Sequence, residues 1–209
     1  PPSPPAPAFP VTVTDDDGQT VTIEREPQRL ITLAPSNTEI VYALGIGDRL
    51  VAVSDYSDYP PEAAAKPKVG YIRVDIERVI AYNPDLILAT GAHRQQVTPQ
   101  LRQRGLKVIT LDPKNIDHVF DNILLVGRAT GQTATAEKLV ADLKARVRQI
   151  ETKVRQAKTR PRVFFELDKS LFTVGPGSFI HDMIVRAGGE NIAGDADRPY
   201  PQLSLEVLL

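Results

Sequence analysis

The chain has 209 residues, 42% of them apolar and 24% charged, and its formal net charge is −1. That balance describes an ordinary folded protein with material for one large domain or two small lobes, and it offers neither a basic footprint for nucleic acid nor a polybasic patch for a membrane surface. Cysteine is absent, which excludes disulfides, thiolate metal sites and a cysteine nucleophile, and no apolar run approaches the length that crosses a bilayer.

The chain opens on PPSPPAPAFP, an uncharged proline-rich tail over residues 1–10. Such a stretch favours extended polyproline conformations and cannot pack a core. It reads either as a plain terminal tail or as a spacer that holds a domain away from a membrane anchor. From Val11 to Ile23 apolar and polar residues alternate around Asp16-Asp17-Gly18, the pattern of a hairpin. The cluster Asp15-Asp16-Asp17 then falls at a solvated hairpin tip.

Arg29–Leu33 reads as a short strand, followed by a helix capped by Ser36 or Asn37 and ended by Gly45. The same unit recurs: strand Leu50–Val53, helix Asp75–Ala81, strand Leu86–Ala89, helix Thr98–Arg104 stopped by Gly105, and strand Lys107–Leu111. Strands alternating with short helices predict a mostly parallel sheet covered on both faces. Together, residues 11–130, including a helix over Ile116–Thr130, form a predicted N-terminal α/β lobe.

Thr133 to Lys158 contains no Gly or Pro. Ala136, Leu139, Val140, Leu143, Val147, Ile150 and Val154 step along it by three and four, which predicts one buried stripe on a helix about 40 Å long. Its central place suggests a strut over residues 131–159 joining two lobes. A second α/β unit follows: strand Arg162–Leu167, a turn at Gly175-Pro176-Gly177 and a helix to about Ala187 ended by Gly188-Gly189. The chain stops at LSLEVLL, where another helix begins, so residues 160–209 read as a partial C-terminal lobe with one complete strand.

No P-loop, dinucleotide fingerprint or nucleophile elbow is present. His93, His118 and His181 lie far apart without an i, i+4 partner, and read as surface or supporting residues rather than metal ligands. Catalytic and metal-ligating residues are therefore both expected to be absent. Tyr56, Tyr59, Tyr71, Phe172 and Tyr200 fall in predicted loops or just after strand ends, where open α/β sheets bind ligands. They read either as a ligand-facing aromatic set or as packing over the edge of the core.

The segments RLITLAPSNTEIVYALGIGDRLVAVSDYSDYPPEA, VDIERVIAYNPDLILA, RVFFE, LFTVGPGSF, GGENI and YPQLSLE resemble, in order, the periplasmic cobalamin-binding protein family. That family belongs to the helical-backbone class of ABC importer binding proteins, shared with siderophore and haem binders. The resemblance covers residues 28–209. DYSDYPP and the two Glu segments are its most discriminating parts, whereas NPDLI and GGENI belong to the wider class.

The resemblance implies two α/β lobes joined by one long α-helix, with the ligand gripped between them by aromatic side chains. It assigns Tyr56, Tyr71 and Thr90 to the ligand from the N-terminal lobe, and Phe172 and Tyr200 from the C-terminal one. The family carries Trp at the equivalents of Tyr71, Thr90 and Tyr200, so here the cage is smaller. Cobalamin, a related corrinoid, haem, a ferric siderophore or another metal chelate all remain open as ligand, and no separate cofactor is implied. Arg73, Arg94 and Arg198 lie close enough in sequence to these positions to serve an anionic chelate.

The resemblance also assigns Glu77 (in DIERV) and Glu206 (in SLEVL) to docking on arginines of a membrane permease dimer. The implied protein is a monomeric transport component, not an enzyme. It would work in the periplasm or on the outer face of the cell membrane, as a lipoprotein if a residue upstream of Pro1 carries an anchor. A two-lobed metal-dependent enzyme and a sensor domain of the same fold are the remaining readings.

Overall fold

A computed structural model of the chain describes residues 9–208. Of the proline-rich tail, residues 1–8 lie outside the described residues. Val11–Thr14 (β1) and Thr20–Ile23 (β2) pair antiparallel with Val11 opposite Ile23 and Thr14 opposite Thr20, and Gly18 takes the left-handed conformation that the turn requires.

The hairpin tip differs from the solvated turn expected of it. Asp15 is buried and spends both carboxylate oxygens: Oδ1 accepts from the amides of Asp17 and Gln19, and Oδ2 from the amide of Thr110 and from Arg102. Asp16 accepts from the Asp112 amide at 2.6 Å and from Asn122 at 3.0 Å, and Asp17 is ion-paired with Arg94. Asp15 can be buried, and Asp16 and Asp17 half-buried, because the surrounding backbone amides and two arginines supply a donor for each.

Leu30–Thr32 (β3), Leu50–Val53 (β4), Leu86–Thr90 (β5) and Val108–Leu111 (β6) form a sheet in the order β4-β3-β5-β6, parallel at every pairing. β3 and β6 are buried at every position, as the continuous apolar runs required. Pro35–Ala43 (α1), Pro61–Ala64 (α2), Ile76–Ala81 (α3) and Val97–Gln103 (α4) connect the strands, and Ile31, Leu33, Val79, Ile87, Leu101 and Val108 meet in one apolar core.

The start of α1 differs from expectation. Neither Ser36 nor Asn37 caps it; the cap is Ala34, in an extended conformation, with Pro35 as the first helical residue. Proline is pre-set for that position and has no amide to leave unpaired. Asn37 is thereby free to reach across to the Ala89 carbonyl at 2.9 Å. Asp75 does cap α3, accepting from the Arg78 amide.

Ile116–Thr130 (α5) and Thr133–Gln156 (α6) follow. The chain divides into two compact units: one takes in the residues up to Asp112 with Asn122–Val140, the other Pro113–Asp121 with the residues from Ala141 onward. Both helices contribute residues to each unit. Along α6, Ala136 and Val140 are buried and Leu139, Leu143, Val147 and Val154 are half-buried, but Ile150 is exposed. The predicted stripe is thus interrupted there, because on this stretch the half-buried face runs through Val147, Glu151 and Val154. Val154 lies against Gly188, and Glu151 pairs with Arg186 at 3.1 Å.

In the second unit Arg162–Val163 (β7) pairs in parallel with Glu190–Asn191 (β8). The strand expected over Arg162–Leu167 stops at Val163, since β8 offers only two residues to pair with, and Phe165 and Leu167 are exposed. Ser178 caps Phe179–Arg186 (α7), accepting from the His181 amide, and the Gly175–Gly177 segment turns into it. Arg186 gathers Asp182 of α7, Glu151 of α6 and Asp117 of α5 into one ion cluster. Leu205–Leu208 (α8) is the last element.

Candidate functional site

In the parallel sheet β3 leads to β4 on one side, and the chain then returns to β5 on the other. Ligands of open α/β sheets bind where the order reverses in this way, beyond the carboxyl ends of the strands. Four features meet at that edge: the start of α1, the loop Ser54–Pro60 after β4, the tight turn Gly91–His93 after β5, and Asp112 after β6.

The loop after β4 carries Tyr56 and Tyr59, both about two-thirds exposed, on a buried polar base. Thr32 Oγ1 lies 2.7 Å from Thr38 Oγ1, which lies 2.8 Å from Ser57 Oγ; Ser54 Oγ is 2.8 Å from Ser57 Oγ. All four residues are fully buried. Lys68 Nζ adds a donor to the Ser57 carbonyl at 2.6 Å. A continuous hydroxyl chain of this kind fixes a loop, since each member would otherwise be an unpaired buried group costing about 1–3 kcal/mol.

Tyr71 arrives from the neighbouring segment. Lys68 bridges Val53 in parallel, extending the sheet edge by one rung. Gly70 then donates to Asp55 Oδ1 at 3.0 Å and accepts from the Asp55 amide at 3.3 Å. Gly70 has positive φ, and a Cβ there would lie 2.1 Å from the Arg73 carbonyl oxygen, so only glycine fits. This pairing sets Tyr71 against Tyr56, with ring centroids 5.7 Å apart and planes 82° to one another. Ile72, also exposed, extends the apolar surface.

Beneath Tyr71 sits His93, which has no exposed surface. The Thr90 amide donates to its Nδ1 at 3.1 Å, so the proton resides on Nε2, which donates to the Tyr71 carbonyl at 2.9 Å. The imidazole also meets the Tyr71 ring edge to face, with centroids 5.8 Å apart. Burial pushes its pKa below the ordinary value, opposed in part by the bond to the Tyr71 carbonyl. Of the two readings open for His93, surface or supporting, the structure shows the supporting one. Its signal in the sequence was Thr90 three residues earlier, directly after a buried strand, which is the spacing of a reciprocal cap.

Of the other residues singled out, Thr90 lies at this locus through its contact with His93, and its hydroxyl is 3.3 Å from Nδ1. Phe172 and Tyr200 belong to the second unit, on segments bonded to one another: Phe172 bridges Gln202, the Thr173 amide donates to the Pro201 carbonyl, and the Gly175 amide to that of Pro199. Both aromatic side chains are exposed. Glu77 is exposed on α3, where it pairs with Arg104 at 3.0 Å, and Glu206 is exposed in the first turn of α8. Arg94 is engaged by Asp17 and Asp112, Arg198 pairs with Asp197, and Arg73 is exposed. His118 lies in α5 and His181 in α7; among the described residues no group of three or more His, Asp or Glu is placed to hold a metal ion.

Residues 30–209 match the family described as periplasmic binding protein. The chain is 35% identical over 195 residues to an uncharacterized ABC transporter substrate-binding lipoprotein of Bacillus subtilis, covering 90% of this chain and 62% of the relative. It is 36% identical over 186 residues to the vitamin B12-binding protein of Vibrio cholerae, covering 87% of this chain and 67% of the relative. The crystal structure of the periplasmic vitamin B12-binding protein of Vibrio cholerae superposes with a TM-score of 0.75 at 35% identity, covering 87% of this chain and 72% of that one. This chain thus spans roughly two-thirds of the length of such relatives, in which the same parallel-sheet scaffold recurs. A family match over residues 30–209, joined to 36% identity with a relative of which two-thirds is covered, establishes that the chain belongs to the periplasmic binding protein family.

Proposed function

We propose that this chain is the ligand-capturing part of an extracytoplasmic substrate-binding protein of an ABC importer, and that its ligand is cobalamin or a related bulky chelate. The observation that carries this reading is the Tyr56–Tyr71 pair, a rigid and partly exposed aromatic face at the carboxyl edge of the parallel sheet. Its function is capture, not chemistry. The groups nearest the face that could do chemistry are engaged with their neighbours: both His93 nitrogens are bonded, and Arg94 is paired with Asp17 and Asp112. The engagement of Arg94 removes one cation that an anionic siderophore would use, while the exposed Arg73 keeps a siderophore open as the ligand.

In this reading Thr90, Phe172 and Tyr200 supply further ligand contacts, and Glu77 and Glu206 present carboxylates to arginines of the permease. The Glu77–Arg104 pair is exposed and therefore weak enough to exchange partners. The working form is a monomer on the outer side of the cytoplasmic membrane, in the periplasm or at the membrane's outer face.

The chain has six tyrosines and no tryptophan, so tyrosine fluorescence, compared between wild type and the Tyr56 and Tyr71 variants, reports on the site. The full-length protein is titrated with cyanocobalamin, haem and a ferric siderophore. Saturable quenching by cyanocobalamin, weakened by both Tyr56→Ala and Tyr71→Ala, is the expected result. Saturation by haem or the siderophore alone would reassign the ligand within the class, and saturation by none would overturn the reading.

A further inference from the structure

We infer that His93 is the positioning residue of the aromatic face: its neutral imidazole holds the Tyr71 backbone in place, and protonation drives the imidazole off the Thr90 amide, displacing the Tyr71 it carries and weakening ligand capture. The inference rests on the binding role proposed for Tyr56 and Tyr71, and adds a regulation of that site.

The closer contacts of His93 fit the neutral ring with its proton on Nε2; the Thr90 hydroxyl, 3.3 Å from Nδ1, is farther off than the Thr90 amide at 3.1 Å. Nδ1 faces the Thr90 amide, a donor, and Nε2 faces the Tyr71 carbonyl, an acceptor. A second proton, on Nδ1, would set donor against donor inside a site with no exposed surface. The bond that must then break closes the turn Gly91–His93, and that turn carries the imidazole on which Tyr71 rests. Tyr71 in turn supports Tyr56 through the edge-to-face contact. A proton taken up out of contact with ligand therefore acts on the surface that meets it.

The surrounding charged groups do not compensate. On its own turn lies Arg94, in the hairpin Asp17, and at the end of β6 Asp112, whose carboxylate lies against Gly91; Arg94 is ion-paired with both. From the Tyr71 segment come Tyr71 itself and the exposed Arg73, and from the loop after β4 comes Tyr56, which meets Tyr71. From α4 the contact is the Thr98 hydroxyl, donating to the His93 carbonyl at 3.4 Å. Among the described residues the groups bonded to the imidazole are the Thr90 amide and hydroxyl and the Tyr71 carbonyl, and burial lowers its pKa. The acid limb should therefore lie below the ordinary histidine range of about 6.5.

Two measurements test this. The first needs no ligand: ring-nitrogen NMR of the full-length protein should show His93 with its proton on Nε2 near neutral pH, and a protonation step in acid that moves the Tyr71 signals with it. An Nδ1–H tautomer, or a His93 titration that leaves Tyr71 unmoved, would overturn the inference. The second follows cyanocobalamin affinity with pH. Wild type should lose affinity in acid, at a rate approaching about tenfold per pH unit once the imidazole titrates, whereas His93→Gln, an amide donor and acceptor that does not titrate, should bind more weakly near neutral pH but with a flat profile. A wild-type profile as flat as the variant's would equally overturn it. Failure of cyanocobalamin to bind at any pH refutes the proposed ligand and leaves the NMR result to decide the role of His93.

Discussion

Asp15, whose side chain is wholly buried, accepts from Arg102 Nη2 at 2.7 Å and from the Thr110 amide at 3.0 Å through the same oxygen. With the bond from the Asp16 amide to the Thr110 carbonyl at 3.1 Å, this contact docks the hairpin against β6, an edge strand of the parallel sheet. An exposed parallel edge would offer unpaired amides and carbonyls to other chains, and the hairpin covers it.

Removing the Asp15 carboxylate strands these donors together. Asp15→Ala should therefore destabilise the protein by about 3 kcal/mol, as expected when one partner of a buried ion pair is deleted. The urea midpoint measures it, and a change below about 1 kcal/mol would show that the tip is as solvated as its composition suggests.

The hydroxyl chain beneath the Tyr56 loop gives a second expectation. Ser57→Ala takes the shared partner from both Thr38 and Ser54, leaving buried hydroxyls short of a bond at a cost of about 1–2 kcal/mol. Because the chain fixes the loop, cyanocobalamin affinity should fall along with the melting temperature.

Tyr56 should separate stability from binding. Its side chain is largely exposed, so Tyr56→Ala should alter stability by less than about 1 kcal/mol while lowering affinity about tenfold or more. Tyr56→Phe keeps the ring and should retain most of the affinity. Calorimetric melting and fluorescence titration of the same samples distinguish the two effects.

For Glu77 the split is between capture and delivery. Loss of its exposed pair with Arg104 should cost under about 1 kcal/mol. Glu77→Ala should bind ligand as the wild type does and yet support slower uptake by the permease in proteoliposomes. Unimpaired uptake would remove Glu77 from the docking surface.

Stability should also depend on pH through His93. Above about 6.5 the imidazole is neutral in both folded and unfolded chains and contributes no pH dependence. Below that value the unfolded chain takes up the proton more readily, because burial depresses the folded pKa. Stability should thus fall as pH drops from about 6.5 toward the folded-state value, then level off. Urea midpoints across this range should show the fall in wild type and a shallower one in His93→Gln.

Much of the scaffold was legible before any coordinates. The runs Leu30–Thr32, Leu86–Thr90 and Val108–Leu111 announced buried parallel strands, and Gly45 and Gly105 marked where helices end, because these features depend on a few adjacent residues. Tyr56 and Tyr71 could be placed in loops beyond strand ends for the same reason. Their mutual contact could not, because it depends on the Asp55–Gly70 pairing across the sheet edge.

Three residues show most clearly where local reading ended. Asp15 in a turn pattern looks solvated, yet it is buried because Arg102 and Thr110, remote in sequence, come to meet it. Ile150 continues a helical stripe, yet it is exposed because the half-buried face there runs through Val147, Glu151 and Val154. His93 looks isolated, yet it lies under Tyr71. The sequence by itself determined the order of the elements, their apolar faces and the family to which they belong. Only the tertiary structure decided which polar groups are buried and which aromatic rings meet, because burial and pairing are properties of residues brought together from distant parts of the chain.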